Sequence, residues 1–226
     1  MGTTDEGGNI LMSAGYIASW LGTVKENYAP NNPINLINIQ NIYIIPSDNF
    51  KNDVKNAILK YGAVSARYFD DDLYRSNNAK NYYCNSDRGT NHEIVIVGWD
   101  DNYNKNNFKY TPKGNGAWIC KNSGGTGWGD KGYFYISYYD ETLGKHNPSY
   151  TFILNDSTKY NKIYQYDIQA TYITYNSGYN TYKNVFTSKG YEKLTAISSY
   201  FHKGTYTITV KGNNQVYTQT FKTNFQ

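Results

Sequence analysis

The chain has 226 residues, 39% of them apolar and 18% charged, with a formal net charge of +4. That composition supports a packed core and excludes a disordered or fibrous chain. No apolar run approaches the roughly 18 residues that cross a bilayer, two cysteines do not make a disulfide scaffold, and lysines without an aromatic–basic motif are poor evidence for a nucleic-acid reader.

Residues 1–10, MGTTDEGGNI, hold no charged-then-apolar signal segment. Residues 5–21 read as a loop entering a helix, with Ile10, Ala14, Ile17 and Leu21 on one face. Gly7 and Gly8 precede it, and paired glycines let another backbone lie close. Residues 28–47 carry Pro30, Pro33 and Pro46 and read as a connector with one short strand at 40–45. Residues 49–61 then place Phe50, Val54, Ala57, Ile58 and Tyr61 on one helical stripe. Ser47 or Asn49 can cap that helix, and Gly62 ends it. A strand follows at 62–66. Asp70, Asp71 and Asp72 lack the glycine and distal glutamate of a calcium loop and read as a solvated turn. Residues 74–90 read as polar loop.

The stretch 91–140 carries the chemistry. It begins NHEIVIVGWDD and continues, after a polar loop, as GAWICKNSGGTGWGDKGYFYISYYD. Three apolar or aromatic runs bounded by glycine and asparagine predict three strands, at 94–97, 116–120 and 133–139. His92 stands at the mouth of the first and Asn122 at the end of the second. An imidazole can take a thiol proton, and a side-chain amide can hold that imidazole in one tautomer. His92-Glu93 does not make a zinc-protease motif, because position 96 is isoleucine rather than histidine. Glu93 either points to solvent or crowds the histidine. Cys120 reads as a small buried hydrophobe within a strand and Cys84 as a surface or loop thiol; neither opens a helix, where a thiolate gains from the dipole. His146 and His202 have no evident partner and receive no role.

These segments resemble the C-terminal half of papain-like cysteine peptidases, whose pattern is a [DN]-H-A-V-like strand start followed by a K-N-S-W-G-x-x-W-G-x-x-G-Y block. The resemblance implies that His92 is the catalytic histidine and Asn122 the orienting asparagine. Trp128 would be the second tryptophan of the block and support the site. Gly7 and Gly8 would match the glycine strip that lines the substrate cleft. The strand after Gly62 matches the family's G-x-V-x-V strand. Gly124 departs from the pattern, since the family has there the tryptophan that roofs the Asn–His hydrogen bond. The nucleophile segment, a glutamine followed by a C-G-S-C-W-like helix start, has no match in the chain. The resemblance implies no metal and no cofactor.

Beyond residue 140 the helical period disappears. Strands are predicted at 150–154, 163–166, 184–187, 194–201, 206–211 and 215–221, with a Gly212-Asn213-Asn214 hairpin signal between the last two. From residue 149 onward eight lysines face three acidic residues, which reads as a solvated basic face. The region resembles the lectin-like β-domain that follows the peptidase in some prokaryotic surface enzymes; YQYD at 164–167 and the strand at 194–201 carry that likeness.

The expected fold class is α+β: a papain-like sheet with a few helices over 1–148, then a small all-β sandwich over 149–226, with truncation expected at both ends. The expected activity is cysteine-type peptide-bond hydrolysis through a Cys-His-Asn arrangement whose cysteine this chain does not supply, leaving it inactive alone. The implied partners are a peptide or protein substrate and, through the β-domain, a cell-wall glycan. The implied location is extracellular or at the cell surface. The alternative is a non-catalytic surface protein that binds glycan or peptide and derives from a peptidase.

Overall fold

The computed structural model describes residues 10–20, 39, 41–153, 160–166, 180–199, 201 and 203–223. Helix α1 runs Ile10–Ala18 and buries Ala14. Gly7, Gly8, Leu21 and His202 lie outside the described residues. The chain divides into two compact units, Met1–Ala170 and Thr171–Gln226.

The first unit is built on a seven-stranded sheet. Its strands in chain order are β1 (Asn41–Ile45), β2 (Val64–Tyr68), β3 (Asn81–Tyr82), β4 (His92–Asp100), β5 (Ala117–Lys121), β6 (Tyr133–Ser137) and β7 (Ser149–Ile153). They lie in the order β1-β7-β2-β4-β5-β6-β3, antiparallel except for β3 against β6. This mixed architecture, with its helices against one large sheet, is the expected α+β papain-like fold. The centre is β2, β4, β5 and β6. Alternate residues Val64, Ala66 and Tyr68 of β2 and Ile94 and Ile96 of β4 point to one face and are buried. Cys120 of β5 and Phe134 and Ile136 of β6 extend that face.

Helix α2 (Phe50–Tyr61) joins this core through Val54 and Ala57, and Phe50 meets Trp118 edge to face at 5.8 Å. Gly62 ends it with φ +100° and an N–H to the Ile58 carbonyl. Asn49 does stand at the N-cap, but its side chain makes no cap bond and instead engages Asn52 and Asp53.

Two segments differ from the sequence expectation. Residues 74–90 are not simply loop: Tyr74, Tyr82 and Cys84 are buried, and Asn81–Tyr82 pairs with β6 as the sheet edge. Asn and Lys neighbours conceal that packing in the sequence. Strand β7, expected at the head of the C-terminal region, belongs to the main sheet, where it pairs with β1 and touches β2 at Ser65↔Tyr150.

In the second unit β8 (Gly204–Gly212) and β9 (Gln215–Thr223) form the expected hairpin, turning at Asn213 and Asn214, both with positive φ. Phe201, Tyr206 and Phe221 cluster on it. Residues 184–187 and 194–199 form no strand, nor do 163–166 of the first unit.

Candidate active site

The register of β4 and β5 explains how His92 and Asn122 meet. Val95 faces Lys121 and Ile96 faces Cys120. Carried one residue further, Asn122 stands opposite Ile94, diagonal to His92, on the face that buries Ile94 and Cys120. The site thus sits at the rim of the core face, where both ladders run out.

Nε2 of His92 and Oδ1 of Asn122 are 2.9 Å apart. An amide oxygen only accepts, so Nε2 carries the hydrogen and Nδ1 of the neutral ring keeps its lone pair. The same Oδ1 accepts from Ser123 N–H at 2.8 Å. The backbone N–H of Asn122 donates to the Gly132 carbonyl at 2.9 Å. The half-buried His92 ring lies edge-on to Tyr68, its partner across the β2–β4 ladder, with centroids 5.8 Å apart. The arrangement can therefore present a basic nitrogen of fixed orientation.

Trp128 connects to this pair through other rings. It meets Phe134 edge to face at 5.1 Å, and Phe134 lies 6.0 Å from Tyr68. A Cβ on Gly124 would stand 3.1 Å from both Cβ and Cγ of Trp128. The indole of position 128 therefore leans over the place where the family pattern has its other tryptophan. The turn that follows Trp128 depends on glycine. Gly129 has φ +59°, and a Cβ there would come within 2.6 Å of the Tyr133 carbonyl oxygen.

Glu93 does not crowd the histidine. One residue on, it faces the opposite side of the sheet, where Ser65 Oγ donates to its Oε1 at 2.6 Å. The aspartate run is tied down rather than freely solvated. Asp70 and Asp72 both accept from Arg75, and Asp71 accepts from Leu73 N–H. Two supporting residues received no role from the sequence. Asn91 brackets Asp70 with two hydrogen bonds, and Arg75 stands over the Trp128 ring at 5.7 Å. A lone cation in a polar stretch gives no signal; the asparagine ahead of His92 was at least part of the matched pattern. His146 pairs with Asp87 at 2.6 Å.

Both cysteines are free and fully buried. Cys120 lies within the β5 ladder, and burial pushes its thiol well above the ordinary range. Cys84, expected as a surface or loop thiol, does lie outside the strands but is buried, with its Sγ donating to the Ser86 carbonyl at 3.2 Å. Its burial follows from the hidden strand just before it.

With this geometry in place, the comparisons with known proteins are consistent. The profile described as "Papain family cysteine protease" matches residues 16–152, more than half of the chain. The structure is similar to that of the clostridial cysteine protease Cwp84 after propeptide cleavage, at 33% identity and a TM-score of 0.64, covering 72% of this chain and 45% of that one. It is also similar to a structure of the cysteine protease and lectin-like domains of Cwp84, a surface layer associated protein of Clostridium difficile. There the identity is 33% and the TM-score 0.57, over 64% of this chain and 36% of that one. A cysteine protease of Blomia tropicalis is 28% identical over 106 residues, 47% of this chain and 22% of that protein. The chain thus spans less than half the length of each of these relatives. It belongs to the papain family of cysteine proteases.

Proposed function

We propose that this chain carries the base and its orienting amide for a papain-like cysteine peptidase. His92 takes the proton from a thiol through Nδ1 and returns it to the leaving amine. Asn122 holds the ring by accepting from Nε2. Trp128 braces the loop behind Asn122, and Gly7 and Gly8 line the cleft for a substrate backbone. The observation that carries this reading is the 2.9 Å contact between His92 Nε2 and Asn122 Oδ1. The nucleophile is a thiol that this chain does not supply. Both of its cysteines are buried away from a substrate, and burial holds the Cys120 thiol well above the ordinary range, which makes it a poor nucleophile. The 226-residue chain alone is therefore inactive. By likeness to the surface layer associated relative, the enzyme acts on peptide or protein at a cell surface. The C-terminal region beyond β7 serves as its lectin-like partner domain, taking a cell-wall glycan.

A second reading, a non-catalytic surface protein that binds peptide or glycan, is favoured by Gly124 and by the buried state of both thiols. One experiment separates the two. The protein is exposed in its native host to an epoxide that alkylates activated thiols, and the labelled residue is mapped. Labelling of a cysteine other than Cys84 and Cys120, abolished by His92→Ala, supports the peptidase. Labelling of either of these two, or labelling that survives His92→Ala, overturns it. A protein that takes no label at all fits the binding module.

A further inference from the structure

The His92–Asn122 pair is enclosed by a second set of contacts. Asn91, the residue before His92, accepts Asp70 N–H on Oδ1 at 2.6 Å and donates from Nδ2 to the Asp70 carbonyl at 2.9 Å. The Asp70 carboxylate accepts from one terminal nitrogen of Arg75, and Asp72 accepts from the other. The guanidinium carbon then stands 5.7 Å from the centre of the Trp128 ring. Trp128 in turn lies against Gly124, two residues past Asn122. The backbone just before His92 and the loop just after Asn122 are thus joined twice. One join is the 2.9 Å hydrogen bond; the other runs through Asp70, Arg75 and Trp128.

The second join has physical work to do. Residues 123–127 are exposed and include three glycines, so the loop has little side-chain packing of its own. Trp128 is its first large anchored side chain. Arg75 suits the joint because its planar fork can pair with two carboxylates while its cation stands over an indole. Two carboxylates also compensate its charge at a side chain only 15% exposed. Lysine, a point charge on a flexible stem, offers the pairing without the planar face.

We propose that Arg75 is a positioning residue for the candidate dyad: by holding Trp128 against Gly124 it fixes the Asn122 loop, and through it the tautomer and orientation of His92. It fills the office left open by the missing tryptophan at position 124. The inference rests on the reading of His92 and Asn122 as the working pair.

The test is long-range proton–nitrogen NMR of the His92 ring in the 226-residue chain, a spectroscopic signature that a merely structural arginine would not move. Wild type is expected to show the Nε2–H tautomer with a slowly exchanging ring proton. In Arg75→Met the ring is expected to become a mixture of tautomers with its proton exchange faster by about tenfold or more, while the amide spectrum of β4 and β5 stays in place. An Arg75→Met protein that keeps the wild-type ring signature overturns the proposal and leaves the dyad reading standing. A wild-type chain without the Nε2–H tautomer overturns the dyad reading and this proposal with it. If Arg75→Met does not fold, Arg75→Lys decides. The lysine variant is expected to show the mixed tautomer, and a wild-type signature from it overturns the stacking role.

Discussion

The carboxylate of Asp140 takes the backbone N–H of Cys84 on Oδ2 at 2.8 Å, across 56 residues of sequence. Its other oxygen accepts from Thr142 N–H at 2.9 Å, Thr142 Oγ1 at 2.7 Å and Leu143 N–H at 2.9 Å. The group is only 4% exposed, so these four donors answer its desolvation. Asp140→Asn keeps the shape but turns an NH2 toward the Cys84 N–H. The expected loss is about 1–3 kcal/mol of stability near neutral pH, read by thermal or denaturant unfolding.

The same residue sets a pH dependence. Burial raises the pKa of Asp140 above the ordinary carboxylate value, against the pull of its hydrogen bonds. A carboxyl raised on folding binds a proton more readily folded than unfolded. Its contribution is therefore full below the unfolded pKa and is lost as pH rises through the folded one. Acidifying from neutrality should widen the stability advantage of wild type over the non-titrating Asp140→Asn. A gap that stays constant or narrows contradicts this sign.

How much of this could be read from the sequence follows from locality. Strands β4, β5 and β6 were legible because each is an apolar or aromatic run closed by glycine or asparagine, and α2 because its stripe recurs at helical spacing. His92 and Asn122 were legible as members of a long pattern, and the sheet register then brings them together. What escaped is non-local. Strand β3 has two residues and pairs in parallel with β6, about fifty positions away, which no local alternation announces. Strand β7 alternates like any edge strand, but its partner Asn41–Ile45 lies more than a hundred residues back. Asp140 carried a weak signal, a short turn of the Asp-x-Thr kind. Arg75 carried none, because its role is set by which ring it faces.

The turn beyond Asn122 supplies a sharper test of local geometry. Gly129→Ala forces a side chain into a left-handed backbone, worth about 1–2 kcal/mol by itself. It also sets a Cβ 2.6 Å from the Tyr133 carbonyl oxygen, so the measured loss should exceed that range. Gly127 has nothing within 4 Å of its Cβ position. Gly127→Ala should stay within about 0.5 kcal/mol of wild type. Equal losses from the two substitutions would contradict the described turn.

The two thiols should be silent in the folded chain. Burial pushes Cys120 well above the ordinary thiol range, and Cys84 is equally enclosed. Iodoacetamide at pH 8.5 is expected to modify neither under native conditions and both after unfolding, as read by intact mass. Stoichiometric alkylation of the folded protein would show that one of them reaches the surface.

The central claim is that His92 and Asn122 act as one unit in thiol activation. Its most direct measurement is a double-substitution cycle on peptide hydrolysis by the native gene product, with His92→Ala, Asn122→Ala and both together. His92→Ala is expected to lower kcat by roughly 10³-fold or more. Asn122→Ala is expected to lose less, and the double variant to be no slower than His92→Ala alone, because residues of one catalytic unit are not additive. Losses that multiply in the double variant, or a His92→Ala protein that keeps its kcat, would contradict it.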